Sequence, residues 1–476
     1  MPTINLKPFT RVEGHLDIEV TVEASGGVQQ VVDAKSGGMM FRGFEAILQG
    51  RGSLDAIIYT QRICGVCPVS HGMAATKALE AAGGVAPADN GRIMRNVVLG
   101  ANYIQSHILH LYHLAALDYI NTTGVLDMSP WAPHFTSPDM IGSPTVATLV
   151  DHYVKALTMR RTAHQLAAIF AGRMPSPANF VPGGSSETVE SGAVALARTL
   201  LTTLRDFINN VMLPDVNAIA AMFPQYASMG VGPGRLLAYG VFDLDAAGQN
   251  KLLARGQYSG GQIGPVDTAQ ITEHVKHSWY ADAGTNLNPS VGVTVPASTK
   301  LGAYSWTKAP RYGGAVYEVG ALARMCVNGD YRQGIGVLHR LAARTLEAKK
   351  VADAMDGWLS QLVPGAPVYT QNTLPASAQG IGLTEAPRGA LGHWVSISGS
   401  KIAHYQIVTP TAWNASPRDD AEQMGAIEQA LVGTPVADVN NPVEVMRVVH
   451  SFDPCLSCSV HILGVRGAAR RFVVFA

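Results

Sequence analysis

Four of the five cysteines in this 476-residue chain form two Cys-x-x-Cys pairs, Cys64/Cys67 and Cys455/Cys458, at opposite ends of the sequence. Thiolates at i and i+3 reach one ion from a single turn, and four of them make a soft site suited to zinc, an iron–sulfur cluster or nickel. Each pair is followed by a histidine, His71 after Cys67 and His461 after Cys458. That is where a side chain tuning a metal-bound sulfur would stand. Structural zinc is the plain alternative, but zinc ribbons close their ligand set within a few dozen residues, and here 387 residues separate Cys67 from Cys455. A chain this long buries a core without a metal staple. Five cysteines in 476 residues are also too sparse for a secreted disulfide scaffold.

For the two pairs to meet, both ends of the chain must fold onto one body, which predicts one large domain. The charge balance is 35 basic against 35 acidic residues, with no basic tail, so a nucleic-acid partner is excluded. Only 15% of residues are charged and 47% are hydrophobic, which points to an obligate subunit interface. The start, Met1-Pro2-Thr3-Ile4-Asn5, has no basic stretch followed by an apolar run, so no signal peptide is expected; export would require riding on a partner. The apolar stretch 97–120 contains Asn102, Gln105, Ser106, His107, His110 and His113 and reads as a buried helix, so any membrane attachment is indirect.

Leu16, Ile18, Val20 and Val22 alternate with polar residues, and Gly26-Gly27 turns the chain into 28–32, predicting a β-hairpin. A second hairpin is predicted over 392–409, turning at Gly399-Ser400. Helical periodicity marks roughly 90–121, 146–172, 187–213 and 331–362, and 223–315 reads as an irregular, strand-containing excursion. The expected fold class is therefore α+β, mainly helical, with a central bundle of long helices and peripheral β-hairpins. His107, His110 and His113 read as hydrogen-bonded core histidines on one helix face, and Cys326 as a buried apolar filler.

The motifs Arg62-Ile63-Cys64-Gly65-Val66-Cys67-Pro68-Val69-Ser70-His71 and Asp453-Pro454-Cys455-Leu456-Ser457-Cys458-Ser459-Val460-His461 resemble those of the large, catalytic subunit of nickel–iron hydrogenases, and the likeness spans essentially the whole chain. The resemblance implies that Cys64 and Cys455 bind nickel terminally. Cys67 and Cys458 then bridge it to an iron carrying carbon monoxide and two cyanides. It implies heterolytic, reversible cleavage of dihydrogen, with Glu13 taking the proton from Cys455. It places Arg388 over the open coordination position and paired with Asp453, sets Pro387, Pro410 and Thr411 around the diatomic ligands, and has His71 donating to a bridging thiolate. Ser106 departs from the aspartate that many members carry there. Magnesium is implied at Glu45, the carbonyl of Ile407 and His461.

The likeness further implies a catalytic domain over 1–461, with the extension 462–476 removed by a maturation protease after nickel-insertion proteins have acted. One remaining cysteine, Cys326, is too few for an iron–sulfur cluster, so electrons must leave through an iron–sulfur small subunit in a heterodimer. A regulatory hydrogen-sensing subunit is the alternative within the family. A zinc-stapled structural protein is the alternative outside it.

Overall fold

In the computed structural model, the described residues are 1–25, 27–124, 128, 135–142 and 145–459, with the side chains of Ser25, Cys458 and Ser459 excepted. The period-two pattern near the start becomes β2 (Leu16–Ser25), the middle of an antiparallel sheet with β1 (Thr3–Phe9) and β3 (Val28–Gly38). The short strand Pro435–Val436 adds to the free edge of β3, so the C-terminal third of the chain joins the N-terminal sheet. Leu16, Ile18, Val20 and Val22 are at most 1% exposed, each burial stabilising by roughly 1.5–3 kcal/mol. The loop between β1 and β2 carries Glu13.

The helical segments are α1 (Pro68–Gly83), α2 (Asp89–Ile108), α3 (Thr145–Ala171), α4 (Ser191–Phe207), α5 (Ala321–Val327) and α6 (Val337–Gln361). Helix α2 packs against α3 and α6, and α4 packs against the same two. Three of the expected boundaries are corrected, the last helix starting at Val337 behind Gly336 and not near 331. The first helix ends at Ile108 and runs into a π-helical segment, Leu109–Ala115, where the ladder widens to i→i+5. The third also passes through a π-helical segment, Ile208–Met212, but then continues as Leu213–Met222, because Pro214 falls in a first helical turn where its missing N–H costs nothing. Residues 223–315 form small two- and three-stranded sheets, as expected of that excursion.

The C-terminal part holds β4 (Ala378–Ala386), β5 (Gly389–Ser398) and β6 (Lys401–Val408) in one antiparallel sheet, then α7 (Pro410–Asn414), α8 (Val443–Ser451) and α9 (Leu456–Ser459). The β5–β6 turn is at Gly399-Ser400 as expected, with φ of 58° and 62°, the left-handed pair that matches strand twist. The sheet lies on α1 through β4, and Gly380 and Gly382 make that approach: a Cβ on either would sit 2.0 Å from the carbonyl of Ala78 or Ala74. Strands β4 and β5 meet in a two-residue turn, Pro387-Arg388, at the buried end of the sheet. Mixed α+β architecture is what the structure shows. Among the described residues no helix is long and apolar enough to cross a membrane.

Candidate metal centre

Cys67 is the residue preceding α1, with Pro68 at the first helical turn, so the first pair sits at a helix N-terminus. Backbone N–H groups of Val66 and Cys67 donate to Cys64 Sγ at 3.3 and 3.4 Å, an arrangement that favours the thiolate. The second pair arrives on the segment leading into α9. Its partner is the β1–β2 loop: Glu13 bridges Cys455 in parallel, and its carbonyl accepts from Leu456 N at 2.7 Å. Gly14, at φ +86°, is what lets the two segments touch, since a Cβ there would lie 2.5 Å from Ser457 N. Arg42 ties both ends, its Nη2 donating to the carbonyls of Ile63 and Ser457.

Cys64 Sγ and Cys455 Sγ are 3.4 Å apart, beyond the ~2.05 Å of a disulfide. The sulfurs of Cys64, Cys67 and Cys455 all lie within 4.8 Å of one another, and each residue is at most 2% exposed. Three buried thiolates this close repel unless a cation sits among them, and an all-sulfur donor set suits a soft metal such as zinc, iron or nickel. The backbone of Cys458 lies in α9, one turn on; its side chain is outside the described residues, as is His461.

Arg388, at the β4–β5 turn, is 2% exposed and pairs with Asp453 through Nε at 3.1 Å and Nη2 at 3.0 Å. Burial alone would favour its neutral form, but Asp453 and the sulfurs of Cys455, Cys67 and Cys64 outweigh that and keep it charged. Its Nη1 is buried with no hydrogen-bond partner among the described residues. Thr411, in α7, accepts the backbone N–H of Cys455 at 2.9 Å, which leaves its hydroxyl hydrogen to donate elsewhere. Pro410 opens α7 behind Thr409, whose hydroxyl accepts from Ala412 N. His71 Nδ1 meets His393 Nε2 at 3.2 Å, and His393 Nδ1 meets Tyr405 Oη at 2.8 Å, so Nε2 of His71 is left buried and unpartnered. Burial holds His71 neutral, at about 4, against the opposing pull of Cys64. Orphaned donors of Arg388 and His71 beside three thiolates fit a bound group that accepts hydrogen bonds as well as sulfur.

Glu13 is half-buried, and burial followed by the Cys64 charge pushes its carboxyl up; Arg388, a Ser457 hydrogen bond and Arg42 pull the other way. Elsewhere, Glu45 Oε1 accepts from Ile407 N at 2.9 Å and Oε2 from Thr294, with Lys308 bridging Gln406 at 2.9 Å and Glu273 at 3.2 Å. The structure thus joins Glu45 to Ile407, while His461 stands outside the described residues. His107 Nε2 bonds Glu347 at 2.8 Å, and His110 and His113 bond the carbonyls of His450 and Tyr153, so all three are hydrogen-bonded, His107 and His110 in the core and His113 partly buried.

Several contributors were not singled out from sequence: Arg42, Ser457, His393 with Tyr405, and the buried Arg324–Glu347–Glu385 group behind the β4–β5 turn. Arg42 and Glu385 lie inside the short segments that flagged Glu45 and Arg388, and adjacency is the signal that reaches them. Arg324 has no such neighbour.

A family model described as nickel-dependent hydrogenase matches residues 42–135 and 127–461, and one described as HoxL-like matches 3–32. The chain is 42% identical to the periplasmic [NiFeSe] hydrogenase large subunit of Desulfomicrobium baculatum, over 97% of this chain and 95% of that one. It is 34% identical to the Hydrogenase-1 large chain of Escherichia coli K12, over 97% and 95%. The solved structure of the Ni-Fe-Se hydrogenase from D. vulgaris Hildenborough in the reduced state superposes with a TM-score of 0.92 at 42% identity, covering 97% of this chain and 100% of that one. The Desulfomicrobium baculatum and D. vulgaris relatives are named for selenium as well; all four motif positions here are cysteine.

Proposed function

The chain belongs to the nickel-dependent hydrogenase family, and from that premise we propose that it is a hydrogenase large subunit cleaving dihydrogen at the cysteine site, with electrons leaving through a small subunit. The relatives reported above are hydrogenases, the [NiFeSe] and Hydrogenase-1 ones named as large subunits, which favours neither the sensing alternative nor structural zinc. The observation that carries the reading is the convergence of Cys64, Cys67 and Cys455 from opposite ends of the chain beneath a charged, buried Arg388.

In this reading Cys64, Cys67, Cys455 and Cys458 would hold nickel, and Cys67 and Cys458 would also hold an iron carrying carbon monoxide and cyanide. When bound, the nickel–iron group supplies the electron-rich, sulfur-ligated centre at which dihydrogen is polarised and split heterolytically. The chain's own residues do the rest. Glu13, with its raised carboxyl pKa, holds the proton released at Cys455 and passes it outward, and Ser457 fixes the carboxyl's orientation. Arg388 and Thr411 would donate to the diatomic ligands, with Pro387 and Pro410 walling them off, Asp453 anchors Arg388, and His71 Nε2 would donate to a cysteine sulfur of the site. Near-complete burial excludes water, so these donors act in a low dielectric. Glu45, the Ile407 carbonyl and His461 would hold a magnesium ion, which would tie the C-terminal end to the body of the chain. The small subunit carries iron–sulfur clusters, and maturation ends the chain at His461, after nickel insertion and proteolysis.

The test is an infrared spectrum of the anaerobic protein with its small subunit, alongside metal analysis and turnover with an artificial acceptor. One carbonyl and two cyanide bands, one nickel per heterodimer with iron in excess of it, and rapid oxidation of dihydrogen are expected. A silent spectrum with zinc bound overturns the reading; bands with negligible turnover return it to a sensor.

A further inference from the structure

Arg388 stands on a two-residue turn, and two residues do not hold a buried guanidinium in place by themselves. The support comes from α5 and α6. Arg324, on α5, is fully buried, and each of its five N–H hydrogens has an acceptor. Nε and Nη2 form a fork to Glu347 of α6, both at 2.6 Å. The second hydrogen of Nη2 reaches the Pro387 carbonyl at 2.8 Å, and Nη1 reaches Glu385 at 2.8 Å and the Ala386 carbonyl at 2.9 Å. One planar group therefore grips three consecutive residues, 385 to 387, immediately before Arg388. Glu347 is held in turn by His107 of α2 at 2.8 Å, so the turn is referenced to three helices.

We propose that Arg324 is the positioning residue for Arg388: by fixing the Glu385-Ala386-Pro387 backbone through its five-donor fork, it sets where the Arg388 guanidinium stands over the thiolates. This rests on the hydrogenase reading above. Neutral hydrogen bonds alone would leave the turn adjustable, whereas a charged fork is short, directional and strong. Lysine keeps the charge at this position but donates from a single point and cannot span both the Glu347 carboxylate and two carbonyls.

The experiment compares Arg324→Lys, Arg388→Lys, their double variant and Glu347→Gln, each as the assembled heterodimer, reading nickel content, cyanide band positions, and kcat and KM for dihydrogen. Arg324→Lys is expected to retain nickel, to shift the cyanide bands as Arg388→Lys does, and to lower kcat by about 10–100-fold with KM little changed, as for a ~1 Å misplacement. The double variant is expected to be no slower than Arg388→Lys alone, because Arg324 acts through Arg388. Unshifted bands with full kcat in a nickel-loaded Arg324→Lys, or losses that multiply in the double variant, would overturn the proposal. If Arg324→Lys does not assemble, Glu347→Gln, which leaves Arg324 in place and removes half of its fork, decides by the same readouts. The unsubstituted heterodimer separates the two readings: absence of bands and turnover there defeats the hydrogenase reading itself, while normal bands there with silent variants defeats only this one.

Discussion

Gly14 and Gly27 share φ +86° but differ in what lies beside them, which makes a matched experiment. An alanine at either position carries the strain of an L residue in the left-handed region, about 1–2 kcal/mol. At Gly27 nothing lies within 4 Å of the new Cβ, so that strain is the whole effect. At Gly14 the Cβ would fall 2.5 Å from Ser457 N and 3.0 Å from the Leu456 carbonyl carbon, about 0.9 Å short of ordinary contact at 3.4 Å. Backbone must move, and the backbone in question leads directly from Cys455, whose sulfur is 3.4 Å from that of Cys64. A displacement near 1 Å at a reacting centre costs on the order of 100-fold in rate. Gly14→Ala is therefore expected to lose nickel or about two decades of dihydrogen oxidation, while Gly27→Ala loses stability alone and keeps full activity per nickel. Thermal unfolding, metal analysis and acceptor-linked turnover on the two purified heterodimers read this out. Equal activity and nickel content in both variants would refute the argument that the β1–β2 loop sets the position of Cys455.

Glu13→Gln should lower hydrogen/deuterium exchange by about 10²–10⁴-fold with the metal complement and infrared bands unchanged, and retention of full exchange would remove Glu13 as proton acceptor. Burial pushes the Glu428 carboxyl up to about 7 from 4.5 against hydrogen bonds from Ser36, Gly425 and Tyr304. The folded state thus binds that proton more tightly than the unfolded state. Its contribution is full below pH ~4.5, is lost as pH rises toward ~7, and amounts to about 3 kcal/mol. Melting temperatures measured from pH 5 to 8 at one scan rate should fall more steeply for the natural chain than for Glu428→Gln, and parallel profiles would contradict the assignment. Intact mass of the active subunit should correspond to a chain ending at His461; retention of Ala476 in fully active protein would count against proteolytic maturation.

The site was legible in sequence where chemistry and spacing coincide, at the cysteine pairs, whereas Arg388 and Glu13 were reached only through the family resemblance, since a lone arginine or glutamate carries no signal of its own. The hairpins were legible too, because Leu16 to Val22 alternates and Gly399-Ser400 supplies a left-handed turn. Strand β4 was not, since Gly380 and Gly382 read locally as breakers. Their reason is tertiary: they admit the backbone of α1, whose Ala74, Ala78 and Ala82 present the matching small face. The π-helical segments at Leu109–Ala115 and Ile208–Met212 were hidden because one extra residue per turn barely disturbs a hydrophobic stripe. Arg324 was invisible for a different reason. A buried arginine is recognised only by its acceptors, and those lie 23, 61, 62 and 63 residues away.

The 3.4 Å contact between Cys64 and Cys455 spans 391 residues of sequence, and that separation is also a delay. At about 5–20 residues per second, roughly 20–80 seconds of synthesis pass between the appearance of the first thiolate and its partner. Through that interval Cys64 and Cys67 exist without Cys455, Gly14 has no strand to touch, and Asp453 is not yet there to meet Arg388. The pocket is a late event in the life of the polypeptide, closed only after those 391 residues have been made. Whatever fills it must wait for the clasp to arrive, and the reduced state of the first pair has to be kept until then.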